Sequence, residues 1–121
     1  MSKIKKKIIC IDLDNTICLT NGSDYKKSKP IKKNIKIINK LFFNGHYIKI
    51  FTSRYMGRSK ENISKAKKRG YKFTHNQLVK WNVRFNKLIM GKPTYDIFID
   101  DKALGFKKNW SSTIEKMIKN A

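Results

Sequence analysis

The chain has 121 residues, 40% of them hydrophobic and 12% aromatic, and a formal net charge of +21. That length suits one domain over residues 1–121 and excludes two, and the apolar content argues against disorder as the whole-chain state. Only two cysteines occur, Cys10 and Cys18, with no CxxC or Cys/His ladder, which excludes a zinc framework and leaves buried, reduced thiols as the expectation.

Lys3 to Lys7 followed by Ile8-Ile9-Cys10-Ile11 imitates the start of a secretory signal, but the apolar run stops at Asp12, short of the ~7–15 residues such a segment needs. No stretch reaches the ~18–20 apolar residues of a membrane span, so a cytoplasmic protein without a membrane partner is expected. Lys7 to Leu13 reads as a central parallel strand covered on both faces, because its apolar residues are continuous rather than alternating. Residues 17–29 carry Asn21-Gly22-Ser23-Asp24 and form a flap before Pro30. Ile31, Ile35, Ile38, Leu41 and Phe42 recur at helical spacing, and Asn44-Gly45 supplies the stop. A second strand is predicted over Tyr47–Thr52 and a helix from Arg58 to Lys68, ending at Gly70. Thr74 is read as the cap of a short helix through Trp81, and Phe85–Met90 as a third strand. Tyr95–Ile99 is read as a fourth strand, and Ser111 or Ser112 as the cap of a final helix.

Strands alternating with helices predict an α/β domain with a mostly parallel sheet, whose ligand site lies beyond the carboxyl ends of the strands. The predicted strand ends carry Asp12 and Asp14, then Thr52-Ser53-Arg54, then Gly91-Lys92-Pro93, then Asp100-Asp101. Four of only eight acidic residues therefore fall at strand ends, whereas Asp24, Glu61 and Glu115 fit caps or the surface. Converging carboxylates repel unless a cation joins them, and oxygen donors without His or Cys favour Mg²⁺, which bridges to phosphate. Phosphoryl transfer needs an in-line nucleophile, neutralised equatorial oxygens and a proton donor for the leaving group. One aspartate can attack phosphorus, a second can protonate the leaving oxygen, and Thr52 or Ser53 with Lys92 can hold the phosphate.

These segments resemble the motifs of the haloacid dehalogenase (HAD) superfamily of phosphohydrolases. Asp12-Leu13-Asp14-Asn15-Thr16 is similar to its DxDxT motif. Phe51-Thr52-Ser53-Arg54 is similar to the second, Lys92 in Gly-Lys-Pro to the third, and Phe98-Ile99-Asp100-Asp101 to the fourth. The resemblance implies a Rossmann-like three-layer fold, with Asp12 as nucleophile and metal ligand and Asp14 as general acid/base whose backbone carbonyl also meets Mg²⁺. It implies that Thr16 steadies the loop, that Thr52 and the Ser53 backbone bind phosphate, and that Lys92 neutralises nucleophile and phosphate. Asp100 would hold the metal, with Asp101 in support. With only a short flap, the chain resembles members without a large cap. A finer likeness, through Asn44-Gly45-His46, Thr52-Ser53-Arg54, Trp81-Asn82-Val83, Met90-Gly91-Lys92-Pro93 and Asp100-Asp101-Lys102-Ala103, is to small bacterial phosphatases of capsule and surface-polysaccharide synthesis, although Asn15 and Asn82 stand where Gly is commoner.

Weaker candidates are Arg54, as a clamp for a substrate carboxylate or second phosphate, or else paired to Asp101 or exposed, and Tyr25 and Asp24 of the flap for selectivity. His46 is expected at the surface or a helix end, His75 at a helix start, and Trp81 and Trp110 in the core. The expected partner is a small phosphorylated sugar or polyol. A phosphatase on nucleic-acid ends or a phosphoprotein is the alternative, because an open site admits large substrates and positive charge attracts them. A non-catalytic phosphoryl- or nucleic-acid-binding module is a third reading, disfavoured because Asp12 and Asp14 are both present. The lysines are spread over every segment, in the manner of a lysine-biased composition rather than a dedicated nucleic-acid surface.

Overall fold

The computed structural model describes residues 5–105 and 109–119, so the start of the basic run Lys3–Lys7 lies outside the described residues. Strands β1 (Ile8–Asp12), β4 (Tyr47–Thr52) and β5 (Lys87–Met90) form a parallel sheet in the order β1-β4-β5. Helices α1 (Lys32–Phe43), α2 (Ile63–Lys80) and α3 (Trp110–Lys119) complete an α/β domain of small Rossmann-like form. The flap is a ribbon in which β2 (Cys18–Leu19) pairs antiparallel with β3 (Lys29–Pro30) around a short 3₁₀ turn at Tyr25–Lys27.

One buried cluster holds the domain together. Ile9 and Ile11 of β1, Ile48 and Ile50 of β4 and Leu88 of β5 meet Ile35, Ile38 and Leu41 of α1, Leu78 of α2, and Trp110 and Ile118 of α3. Alternate residues of the strands thus share one covered face. On the other face Ile8 and Cys10 are exposed and Phe51 and Ile89 half-buried. β1 is therefore a sheet edge with one dry face, not the doubly covered central strand that its apolar run suggested; β4 lies in the middle. Trp81 packs against the cluster as a partly buried residue and Trp110 is buried in it, as expected of core tryptophans.

Helix α1 ends as its sequence predicts. Gly45 sits at φ +93°, its N–H bonds the Phe42 carbonyl, and that of His46 bonds Leu41. The two helices expected on either side of Gly70 are one. α2 starts at the cap Asn62, whose side chain accepts the Lys65 N–H, and runs unbroken to Lys80. Gly70 is no stop; a Cβ there would come within 2.1 Å of the Tyr55 ring, so the glycine admits a close approach. Thr74 and His75 consequently lie inside the helix, Thr74 buried and His75 between the rings of Tyr71 and Phe85. Ser111 is likewise inside α3, and its hydroxyl donates to Asn34 Oδ1 instead of capping.

Tyr95–Ile99 forms no strand. Ile97 and Ile99 are 79% and 91% exposed, and the segment pairs with no edge. Local contacts hold it otherwise. The Tyr95 and Phe98 rings lie 5.1 Å apart, the Lys92 ammonium lies 5.2 and 5.4 Å from their centroids, and Thr94 bonds Glu61 through its N–H and hydroxyl. Pro93 adds a residue without an N–H and restricts Lys92 before it.

His46 lies at the end of α1, one of its two expected places, but is buried there, at 2% exposure, rather than at the surface. Its Nδ1 accepts the Lys7 N–H at 3.0 Å, which fixes the neutral ring, and burial with the nearby charges of Lys6 and Lys7 lowers its pKa. A base whose folded pKa is depressed stabilises the fold above its unfolded pKa of ~6.5 and loses that stability as pH falls through the folded value. Melting temperature should therefore decline below about pH 6.5, and this part of the decline should be missing in His46→Gln.

Candidate active site

Asp12 closes β1 and the chain then turns sharply. Leu13 is fully buried, and its carbonyl accepts the N–H groups of Thr16, Ile17 and Cys18 at 3.2, 2.8 and 3.4 Å. Asn15 makes the turn possible by adopting φ +62°, a conformation that Asn tolerates better than most residues, while its side chain accepts the Thr20 N–H. Where Gly is commoner, Asn thus supplies the same backbone. The turn brings the Thr16 hydroxyl back to Asp12 Oδ2 at 3.1 Å, and Asn34 of α1 anchors the Thr16 carbonyl.

Register places the other strand ends beside this turn. Asp12 pairs with Phe51, and Thr52 with Met90, so Asp12, Thr52 and the residues after Met90 share one edge of the sheet. The Thr52 carbonyl accepts the Lys92 N–H at 3.1 Å, and Lys92 Nζ reaches Asp12 Oδ1 at 3.2 Å. Burial alone would lower the pKa of the Lys92 ammonium, but its contacts with Tyr95 and Asp12 raise it above the ordinary lysine value. Lys92 is a fixed cation. The Asp12 side chain is 35% exposed beside it, hence open to a ligand. Thr52 is buried and accepts the Arg54 N–H, which leaves its own hydroxyl proton free to be donated; Ser53 is half-buried next to it.

Arg54 is neither exposed nor paired with Asp101. It is 1% exposed and forks onto Asp14, with Nε 2.9 Å from Oδ2 and Nη2 2.8 Å from Oδ1. Nη1 donates to Gln77 Oε1 at 2.6 Å, and the guanidinium lies 4.7 Å from the Tyr25 ring centroid. Asp14 Oδ1 also accepts the Thr20 hydroxyl and faces the Cys18 thiol. Burial pushes the pKa of that thiol up, as befits an inert core cysteine. Cys10, in contrast, is exposed.

Asp100 and Asp101 are not gathered with Asp12 and Asp14, among the described residues, into a group that could hold a metal ion. Both are exposed, and Asp100 spends an oxygen on the Lys102 N–H at 2.7 Å. Its charge is still felt at Cys10 on β1: partial burial chiefly raises that thiol's pKa, Lys92 and Lys49 lower it, and Asp12 and Asp100 add to the rise. Among the described residues no group of three or more His, Cys, Asp or Glu is gathered to hold a metal ion. The repulsion expected between carboxylates is relieved here by the chain's own cations, Lys92 on Asp12 and Arg54 on Asp14.

No family model and no curated protein matches the chain. Among solved structures, the crystal structure of a structural-genomics target from Vibrio cholerae is similar to it, at 24% identity and a TM-score of 0.75. The likeness covers 93% of this chain and 98% of that one. The fold is shared. At that identity the likeness extends to architecture alone.

Sequence reasoning did not single out Gln77, Thr20 or Ser28, which surround the Arg54–Asp14 pair. A signal existed. Where Lys is the prevailing cation, an Arg directly after Thr52-Ser53 marks a place that needs a planar fork and not merely a charge. Tyr25, proposed for selectivity, stacks on this arginine; Asp24 is exposed and faces Lys27 at 3.9 Å.

Proposed function

We propose that the chain is a phosphomonoester hydrolase of the HAD superfamily, without a large cap, working through an aspartyl-phosphate on Asp12. The observation that carries this reading is the Asp12 carboxylate itself. It is partly exposed at the carboxyl edge of a parallel sheet, steadied by Thr16 and neutralised by Lys92, with the Thr52 hydroxyl at the same edge.

In this reading Asp14, ion-paired with Arg54 in this structure, takes a proton from solvent as the ester binds; an Asp12 oxygen then attacks phosphorus in line while the ester P–O bond breaks, and Asp14 delivers that proton to the departing oxygen. Asp14 then takes a proton from the water that attacks the phosphoryl group, releasing phosphate and restoring the Asp12 carboxylate. Lys92 offsets the negative charge of nucleophile and phosphate, and Thr52 with the Ser53 backbone donates to the phosphoryl oxygens. Mg²⁺ suits the donor set in kind, since all candidates are hard oxygens. Asp12 and Asp100, supported by Asp101 and by the Asp14 backbone carbonyl, would hold it, and it would offset further phosphate charge. For Asp100 this requires the 95–101 segment to approach Asp12.

A small sugar or polyol phosphate of surface-polysaccharide synthesis is the proposed substrate class, from the finer motif likeness. Net charge of +21 favours a second reading, a phosphate on a nucleic-acid end or a phosphoprotein. A panel of sugar phosphates and 5′- and 3′-phosphorylated oligonucleotides, assayed with Mg²⁺ at two salt concentrations, separates them. Phosphate release is expected, abolished by EDTA and restored by Mg²⁺. Steep salt dependence confined to oligonucleotides would select the second reading. Turnover of no ester under any condition would overturn both, and undiminished turnover in EDTA would remove the metal.

A further inference from the structure

We propose that Arg54 is a positioning residue that couples the flap to Asp14, so that the proton donor is held in its working orientation only while the flap is seated. This rests on the reading of Asp14 as the general acid/base.

The guanidinium is enclosed on every side that the structure describes. Two of its nitrogens fork onto Asp14, a third donates to Gln77, and its face lies on Tyr25. Nη2 also reaches Ser28 Oγ at 3.4 Å. Gln77 in turn donates from Nε2 to the Tyr25 carbonyl at 2.7 Å, and the Thr20 hydroxyl touches both Asp14 and Ser28. Outside the aspartate, then, the groups that meet this cation come from the flap (Cys18, whose Sγ lies 3.8 Å from Nη2, Tyr25 and Ser28) and from one glutamine of α2, with Thr20 linking Asp14 to Ser28.

A buried arginine is costly unless its partners are complete. Lifting the flap would remove the Tyr25 ring, the Ser28 hydroxyl and the Gln77–Tyr25 link, and would admit water to the fork. The Asp14 carboxylate would then lose the contacts that fix its rotation. Flap position and carboxylate orientation therefore behave as one unit. The unit needs arginine: lysine carries the charge, but its three N–H donors radiate from one atom and do not reproduce a planar fork onto Asp14 with a separate donor reaching Gln77. Arg54 thereby leaves the phosphate to Thr52 and Lys92 and acts only through Asp14.

An arginine that merely supported the fold would affect all substrates alike, whereas one that orients a proton donor matters most when the leaving oxygen needs a proton. Arg54→Gln should lower kcat about 100-fold for an alkyl phosphate but less than about tenfold for p-nitrophenyl phosphate, whose leaving group needs little help, with KM nearly constant. Arg54→Lys should resemble Gln more than wild type. Equal losses on the two esters in a folded variant, or full rescue by Lys, would overturn the proposal. Should Arg54→Gln not fold, Gln77→Leu decides. It spares the fork but cuts its link to the flap, and is expected to widen the ratio between the esters about threefold or more; an unchanged ratio overturns the coupling. Hydrogen exchange gives a readout independent of turnover. Arg54→Gln, or Gln77→Leu in its place, should speed amide exchange across residues 18–28 about tenfold relative to α1, and unchanged exchange would refute the coupling even if the wild type hydrolysed neither ester. Faster exchange in the variant, together with a wild type inactive on both esters, would leave the coupling standing and overturn the proton-donor role.

Discussion

Asp12→Asn is expected to reduce phosphate release to below about one thousandth of wild type while the protein still folds. The substitution exchanges one carboxylate oxygen for an amide nitrogen of nearly the same size, so the turn at Leu13–Thr16 is unaffected. The remaining carbonyl can accept the Thr16 hydroxyl at the place where Asp12 Oδ2 accepts it now, at 3.1 Å. The cost to folding is the charge opposite Lys92; because the pair is part-exposed on the Asp12 side but buried on the Lys92 side, that cost lies between the about 1 kcal/mol or less of an exposed pair and the about 3–5 kcal/mol of a fully buried one. The cost to chemistry is larger. An amide is a poor nucleophile, and loss of a nucleophile on which the other groups depend removes nearly the whole of their joint contribution. Acid quench of a reaction with ³²P-labelled ester should trap label on the wild-type chain and none on Asp12→Asn. Turnover above about one per cent of wild type in the purified variant would remove Asp12 from the role of nucleophile.

Leu13→Ala should cost about 2–5 kcal/mol of folding stability, the range found for large-to-small changes at fully buried positions. Leu13 has 0% exposure and lies in the core cluster with Ile9, Ile11 and Ile17. Its carbonyl gathers three N–H groups of the turn, so the side chain that is anchored in the core also fixes the acceptor around which the loop winds. A chain of this size loses roughly 3–5 °C of melting temperature per kcal/mol, so a fall of roughly 6–25 °C is expected by calorimetry. A loss below about 1 kcal/mol would mean that the neighbouring core collapses into the cavity and that the loop does not depend on this anchor. The residue between the two aspartates is thus a structural requirement of the site, although it touches no substrate.

Local signals were the legible ones. The apolar runs at Ile8–Asp12 and Tyr47–Thr52, the helical period of α1 and its Asn44-Gly45 stop all lie close to where the sequence alone puts them. Gly70 misled because helix-breaking and close packing leave the same mark in a sequence, and only the Tyr55 ring beside it distinguishes them. Tyr95–Ile99 misled because an apolar run specifies a strand only where an edge receives it; here a lysine between two aromatic rings holds the segment otherwise. At the site, the neighbours of Asp12 follow from strand register, so Thr16, Thr52 and Lys92 fall together once the strands are aligned. The partner of Asp14 does not follow. Arg54 is forty residues away along the chain and Gln77 a further twenty-three, and no periodicity connects a flap, a strand end and the last turn of a helix.

The exposed rim of β1 has a bearing on how the protein behaves in bulk. A strand that pairs on one side only among the described residues, with Ile8 70% exposed, is a template for edge-on association with other copies. Lys5, Lys6 and Lys7, all exposed, lead directly into it, and a molecule of charge +21 repels its own copies at low ionic strength. The abundance of lysine is therefore a colloidal property as much as a functional one. Salt or a polyanion that screens it removes the barrier that keeps one bare strand from meeting the next.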